Sequence, residues 1–445
     1  MLREWNLFFI RWLHQISKFS IDSSRLSIQS KETINHTSNA HSKMNEQIIS
    51  RVRAAIYGMY IGDALSMPVH WYYDRLKIYQ DFGKDGIKKY EKPMETFPGS
   101  IMNLSNTGGG GRGSDKGSII GDVLVKGKKK YWGKGASFHY HHGMEAGDNT
   151  LDTLVARLMM NCISNHYEDL GNRSFSNKFY SSLSHSKQSA AENEFTSGFL
   201  KAYVSFMTEK DSHNDTYVAT AHRMFFSNWV KDKNVLECAD NDDHNTDSVD
   251  GIINVGAITL AEIVTSSCKS YENLNSKNEA INSAIFDSIN VIRKSKLLPK
   301  YGEIYHDLLI KIIVEGTNLR AAILEIINEN KKVFNKLGLD KRLLDTYSRT
   351  GIESDPMSAC YIESNFPVMI MMAYKYHDSV GKALLACANA GGENVNRGAL
   401  LGTIMGAAHG MNEEIMKWSG GLRNREQYAE EIEKFLSPIM IDKTE

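Results

Sequence analysis

The chain has 445 residues, 42% hydrophobic and 24% charged, a balance that excludes disordered and collagen-like polypeptides and allows a large buried core. Lys and Arg number 52 against 53 Asp and Glu, a formal net charge of -1, so the overall balance recommends neither nucleic acid nor an anionic membrane as partner. With 7 prolines, and 5 cysteines that form no C-x-x-C pair, it reads as a helical protein of a reducing compartment, and no apolar run reaches the roughly 18–20 residues of a membrane span.

Residues 1–43 begin with the amphipathic LFFIRWLHQI and continue as a Ser/Asn/Thr-rich tract, which resembles a weak organellar transit peptide. Glu4 and Asp22 dilute that character, and Met44 stands directly before the first helical pattern. The preferred reading is an unstructured extension before a domain over 44–440 in a cytoplasmic protein, mitochondrial if the extension is a targeting peptide. From Met44, residues Ile48, Ile49, Val52, Ala55, Ile56, Met59 and Tyr60 share one helical face, and this first helix should end near Leu65. Residues 66–147 read as a loop-rich insert: a glycine loop over Gly108–Gly113, then IIGDVLVKGKKKYW, expected as a hairpin turning around Gly127. Helices are expected near 148–166, 189–207, 214–230, 247–267, 275–294, 301–332, 357–375, 378–410 and 425–437. Neither a solenoid repeat nor strand–helix alternation appears, so the fold class is all-α, one compact domain.

Two segments join a glycine turn to short oxygen-bearing side chains and then to a strongly helical run: Gly147-Asp148-Asn149-Thr150 and Gly391-Gly392-Glu393-Asn394-Val395-Asn396. Either alone reads as a helix N-cap. The second, however, runs into Gly398, Gly402 and Gly406, and the first helix carries Gly58 and Gly62 at the same spacing, a stripe that lets helix backbones approach closely. That places the helix after Gly392 at the centre, where a polar cluster at its mouth is costly unless it binds something.

Gly62-Asp63-Ala64-Leu65 followed by Pro68, then Gly147–Thr150, then Gly391–Asn396 resemble, in that order, the three signature segments of the ADP-ribosylglycohydrolase family, over about residues 48–420. The resemblance implies an all-α orthogonal bundle with two magnesium ions in a central cleft, hydrolysing ADP-ribosyl groups on proteins or small molecules. The departures are as informative. Asn149 stands where the first metal motif has a second Asp, Val395 stands where the other motif has a metal-bridging Asp, and His70 occupies the place of a catalytic Glu seven residues beyond Asp63. Magnesium wants several carboxylate oxygens. One magnesium or none is therefore expected rather than two, with Asp63, Asp148, Thr150, Glu393 and Asn396 as candidate ligands.

The expected catalytic residues are Asp63, His70, Asp148 and Glu393: Asp148 and Glu393 as ligands or charge stabilisers, and His70 or Asp63 as handler of the water's proton. Candidate substrate contacts are Asn149, Gly391, Gly392 and Asn394 of the two turns and His141 and His142 of the HYHH run before the first. Asp243 and His244, in an Asp-rich cluster at a helix start, and Gly110 and Arg112, in a glycine loop suited to a diphosphate, complete the set. Each cluster is equally at home as a cap or solvated turn. Gly108-x-Gly110-x-x-Gly113 formally matches a dinucleotide fingerprint, but it neither follows a strand nor opens a helix. The competing expectation is a non-catalytic, crystallin-like member that has lost its metal chemistry. A third is a hydrolase of changed substrate, with the Gly108–Trp132 insert as its specificity element.

Overall fold

The computed structural model describes residues 43–105, 118–170, 194–266 and 279–441; Gly110 and Arg112 lie outside them. Among the described residues the secondary structure is helical, with isolated bridges such as Thr96–Phe138 and Ser248–Tyr361 in place of strand ladders. The helices that build the site are α1 (43–66), α2 (Leu151–Leu170), α3 (Glu194–Thr208), α4 (Thr220–Trp229), α5 (Ile253–Thr265), α6 (Leu298–Ile313), α7 (Leu319–Glu329), α8 (Ile362–Lys375), α9 (Val380–Ala390) and α10 (Val395–His409).

Helix α10 is the centre of the bundle. Every residue from Val395 to Ala407 is buried, and α2, α5, α6, α8 and α9 all pack on it. The glycine stripe explains how α1 joins them. A Cβ on Gly402 would stand 1.9 Å from the Gly58 carbonyl oxygen, one on Gly62 1.9 Å from that of Gly398, and one on Gly406 2.0 Å from that of Ala54. The two backbones touch, and only glycine permits it.

Three expectations are corrected. The 378–410 run is two helices, α9 and α10, because Gly391 and Gly392 turn the chain at φ of 72° and 66°. A Cβ at either would lie 2.3 Å from a carbonyl oxygen, of Tyr72 and Ser358 respectively. The 301–332 run likewise breaks into α6 and α7 at Gly316 (φ 70°), and the Asn318 side chain caps α7 by accepting from the Arg320 N–H. The hairpin is absent. Ser118 caps a single wide helical turn over Ile119–Val123, Gly127 turns the chain, and a short helical turn follows over Lys129–Trp132, burying Ile119, Ile120 and Trp132.

Candidate active site

Helix α1 runs into a short turn, Met67–Val69, and then into Trp71, which holds a left-handed φ of 59°. That conformation is costly for a bulky side chain. It is held by a backbone clamp: the Trp71 N–H donates to the Gly392 carbonyl at 2.9 Å, and the Gly392 N–H donates to the Tyr72 carbonyl at 2.8 Å. The fully buried Arg397 tightens the same turn, its guanidinium donating to the Gly391 carbonyl at 2.9 Å and to Ser358 Oγ at 2.8 Å. These contacts set His70 against Glu393.

From Glu393 an unbroken line of contacts leads into the protein. His70 Nε2 lies 3.1 Å from both carboxylate oxygens of Glu393, and His70 Nδ1 lies 2.7 Å from His141 Nε2. His141 Nδ1 is 2.7 Å from Asp215 Oδ1. Asp215 is itself anchored by the N–H of Leu151 at the start of α2. Although burial opposes charge on both partners, their mutual attraction wins: Asp215 is held below the usual carboxylate range and His141 is raised above the ordinary imidazole value. With His141 Nδ1–H fixed on Asp215, the two remaining contacts, His141 to His70 and His70 to Glu393, each need one proton, and the rings can satisfy both by donating in either direction along the line.

On its other side Glu393 meets a second carboxylate. The Asn396 amide donates to Glu393 Oε1 at 3.2 Å and to Asp152 Oδ2 at 3.4 Å. Asp152 Oδ1 is 2.9 Å from His222 Nε2, and His222 Nδ1 is 2.5 Å from the Tyr203 hydroxyl. Glu393, Asp152, His70 and Asn396 all line one pocket of about 480 Å³. Trp71, Tyr140 and Tyr217 supply aromatic wall, and exposed Tyr73, Leu104 and Tyr361 stand at its mouth. A pocket that joins apolar wall to a few convergent polar groups is the usual form of a small-molecule site.

The starts of α2 and α10 therefore meet, but through Asp152 rather than Asp148. The Asp148 carboxylate does not line the pocket. It accepts from the Glu145 N–H at 2.8 Å and the Asn214 amide at 2.6 Å, with Arg423 Nε 3.7 Å away. Asp148→Ala is accordingly expected to lower the melting temperature, by a few degrees for the lost buried hydrogen bonds to Glu145 N–H and the Asn214 amide, and to leave turnover within about threefold of wild type. A thermal melt beside a rate assay checks both.

Asp63 is also spent on structure. It accepts from the Thr150 N–H at 2.8 Å, Thr150 Oγ1 at 2.6 Å and the Asn149 amide at 2.7 Å, fastening α1 to α2, and burial lifts its carboxyl to about 6. The Asn394 amide binds the Ala388 and Val69 carbonyls. Gly391 and Gly392 serve the clamp. His142 packs against Tyr131 and Phe138, its Nδ1 3.2 Å from the Glu95 carbonyl and away from the pocket. Asp243 is exposed and outside the lining, whereas exposed His244 reaches the mouth beside Tyr361. The Asp-rich cluster is a turn closed on one side chain, since Asp242 accepts from the N–H groups of His244, Asn245 and Thr246, and the next helical turn starts only at Val249.

These residues do not fit a two-magnesium centre. Val395, at the place of the bridging carboxylate, packs in a buried apolar cluster with Met67 and Met144. Among the described residues there is no group of three or more His, Cys, Asp or Glu arranged to hold a metal ion. Glu393 is instead engaged by His70.

Asp152, His222 and Tyr203 escape a reading of the sequence. Asp152 looks like an ordinary acid in a first helical turn, and its partners lie 70 and 244 residues away. The one signal available was its place two residues beyond Thr150, on the helix already suspected.

No curated protein matches the chain. One solved structure, described as an ADP-ribosylglycohydrolase-related protein complex, is similar at 14% identity and a TM-score of 0.45, covering 89% of this chain and 100% of that one. No helix of the described residues is long and apolar enough to cross a membrane. The family model for ADP-ribosylglycohydrolase matches residues 44–442, so the all-α bundle described above belongs to a member of the ADP-ribosylglycohydrolase family.

Proposed function

We propose that the chain is a hydrolase of an N- or O-glycosidic bond of the ADP-ribosyl class, on protein-linked or small-molecule substrates, and that it works by acid–base chemistry without magnesium. The observation that carries this reading is the line from Glu393 through His70 and His141 to Asp215, which ends in a pocket beside a second carboxylate. Glu393 gives a proton to the leaving atom as the glycosidic bond breaks, and His70 and His141 supply the proton that replaces it. Asp152, oriented by His222 and Asn396, stabilises the positive charge that develops on the sugar and takes a proton from the attacking water. One water is consumed: its oxygen and one proton join the sugar, and its other proton, taken up by Asp152, passes through water in the pocket back to Glu393 and replaces the one that the line gave to the leaving atom, so the line returns to its starting state.

Release of free ADP-ribose from arginine- and serine-linked ADP-ribosyl peptides tests the reading, with EDTA and with added magnesium. Equal turnover under both conditions, within about twofold, is expected. Loss of turnover on chelation removes the metal-free chemistry, and no release from either peptide removes the hydrolase. The apolar Met67, Met144 and Val395 cluster favours one alternative, a member that binds without turnover; it predicts ligand-induced stabilisation with no product.

A further inference from the structure

We infer that Lys128 and Trp132, in the insert before the HYHH run, are positioning residues for the proton line, because together they hold the backbone that carries Asp215. The inference rests on the glycoside reading only for the rates it predicts.

Asp215 stands in residues 213–219, an irregular stretch between α3 and α4 with no helix to satisfy its carbonyls. Buried carbonyls in such a stretch need donors from elsewhere. Three in succession take theirs from the insert. Lys128 Nζ donates to the Asn214 carbonyl at 2.5 Å and to the Asp215 carbonyl at 2.6 Å, and the Trp132 indole N–H donates to the Thr216 carbonyl at 3.1 Å. The side chains of Asp215 and Thr216 reach the other elements of the site. Asp215 Oδ1 meets His141, its Oδ2 accepts from the Leu151 N–H at 2.9 Å, and Thr216 Oγ1 donates to the His142 carbonyl at 2.7 Å, which ties the stretch to the run that holds His141.

The shape of the insert serves these contacts. Of its lysines, Lys126, Lys129, Lys130 and Lys134 are exposed, whereas Lys128 is half-buried. Val125 takes a left-handed φ of 38° and Gly127 one of 82°, and the Lys128 N–H donates to the Val125 carbonyl at 3.0 Å. A left-handed β-branched residue is costly, and such strain persists only where surrounding contacts enforce it. Burial pulls the Lys128 ammonium below its ordinary value, and the Asp215 and Asp211 carboxylates oppose that. Trp132 is 2% exposed, stacked on Tyr217 at 5.7 Å, with the Arg223 guanidinium 5.4 Å from its ring. None of the described residues from Ser118 to Trp132 lines the pocket. This part of the insert therefore acts behind the pocket rather than on the substrate.

Lys128→Met keeps most of the aliphatic stem and removes the donors, which frees Asp215 to drift from His141. Because a displacement of about 1 Å can cost about a hundredfold in rate, kcat of the full chain is expected to fall by about ten- to a hundredfold with KM within about twofold. Lys128→Arg restores charge and donors and should return kcat to within about threefold of wild type. A second readout does not depend on turnover: the proton NMR resonance of His141 Nδ1–H, which lies far downfield of the amides when held on a buried carboxylate and is identified by its loss in His141→Asn. It should be present in the wild-type protein and in Lys126→Met, whose lysine is exposed on the same turn, and lost or shifted in Lys128→Met. Trp132→Phe, which removes the indole donor and keeps a ring, should shift it as well. Absence of the resonance from the wild-type protein, its persistence unchanged in Lys128→Met, or a raised KM with unchanged kcat would each overturn the inference. Failure of the peptide hydrolysis assay leaves the resonance to decide the placement of Asp215.

Discussion

Glu393→Gln is expected to lower kcat by about 10²–10⁴-fold with little change in folded stability, the range for removing a positioned acid or base. The substitution keeps volume, burial and a carbonyl oxygen. The retained oxygen can still accept from the Asn396 backbone N–H, now at 3.3 Å from Glu393 Oε1, so the start of α10 keeps its local cap. What disappears is the ability to gain and lose a proton. His70 Nε2 then faces an amide, and the proton moving along His141 and His70 has no exit into the pocket. Two measurements together decide the matter, a single-turnover rate and a melting curve. A slow but well-folded Gln variant places the proton at Glu393. A variant with wild-type rate removes Glu393 from the chemistry and leaves the buried line as a purely structural network.

The physical reason that parts of this site are legible in the sequence is that some residues have only one economical use. Gly58, Gly62, Gly398 and Gly402 at helical spacing have little purpose except to bring two backbones together, and that contact is what the structure contains. His70 and Glu393 were visible because they sit at fixed distances from Asp63 and Gly392, and Asn149 and Val395 marked the missing carboxylates in the same way. Roles were harder to read than places. Asp63 is a carboxylate in a signature segment, yet Thr150 and Asn149 saturate it, and nothing local distinguishes a saturated carboxylate from a reactive one. Asp215 stands in His213-Asn214-Asp215-Thr216, a short polar run whose residue types suit a helix cap as well as a site. Its partner His141 lies 74 residues earlier in the chain, a separation that no local window of sequence spans. The expected hairpin failed for a related reason: Ser118, a residue with several uses, caps a helical turn there instead.

Gly402→Ala is expected to destabilise the fold by about 2–4 kcal/mol, a severe overpacking penalty, although alanine is the better helix former by about 1 kcal/mol. The added methyl would sit 1.9 Å from the Gly58 carbonyl oxygen, an atom that belongs to a helix backbone and cannot rotate away. Relief requires α1 and α10 to separate, and the displacement has a direct route to the pocket. Further along α1 lies the turn that holds His70, and α10 begins two residues after Glu393, so the 3.1 Å contact between them depends on how closely the helices lie. Loss of stability and loss of rate should therefore appear together in this variant. In Glu393→Gln they should separate. Gly198→Ala is the control. That glycine is exposed in α3 with nothing within 4 Å of the new methyl, so the same substitution should raise stability by about 0.5–1 kcal/mol and leave the rate unchanged. Urea unfolding of both variants measures the contrast. A Gly402→Ala protein as stable as wild type would mean that the backbone contact between the two central helices is looser than the structure shows, and with it the placement of His70 against Glu393.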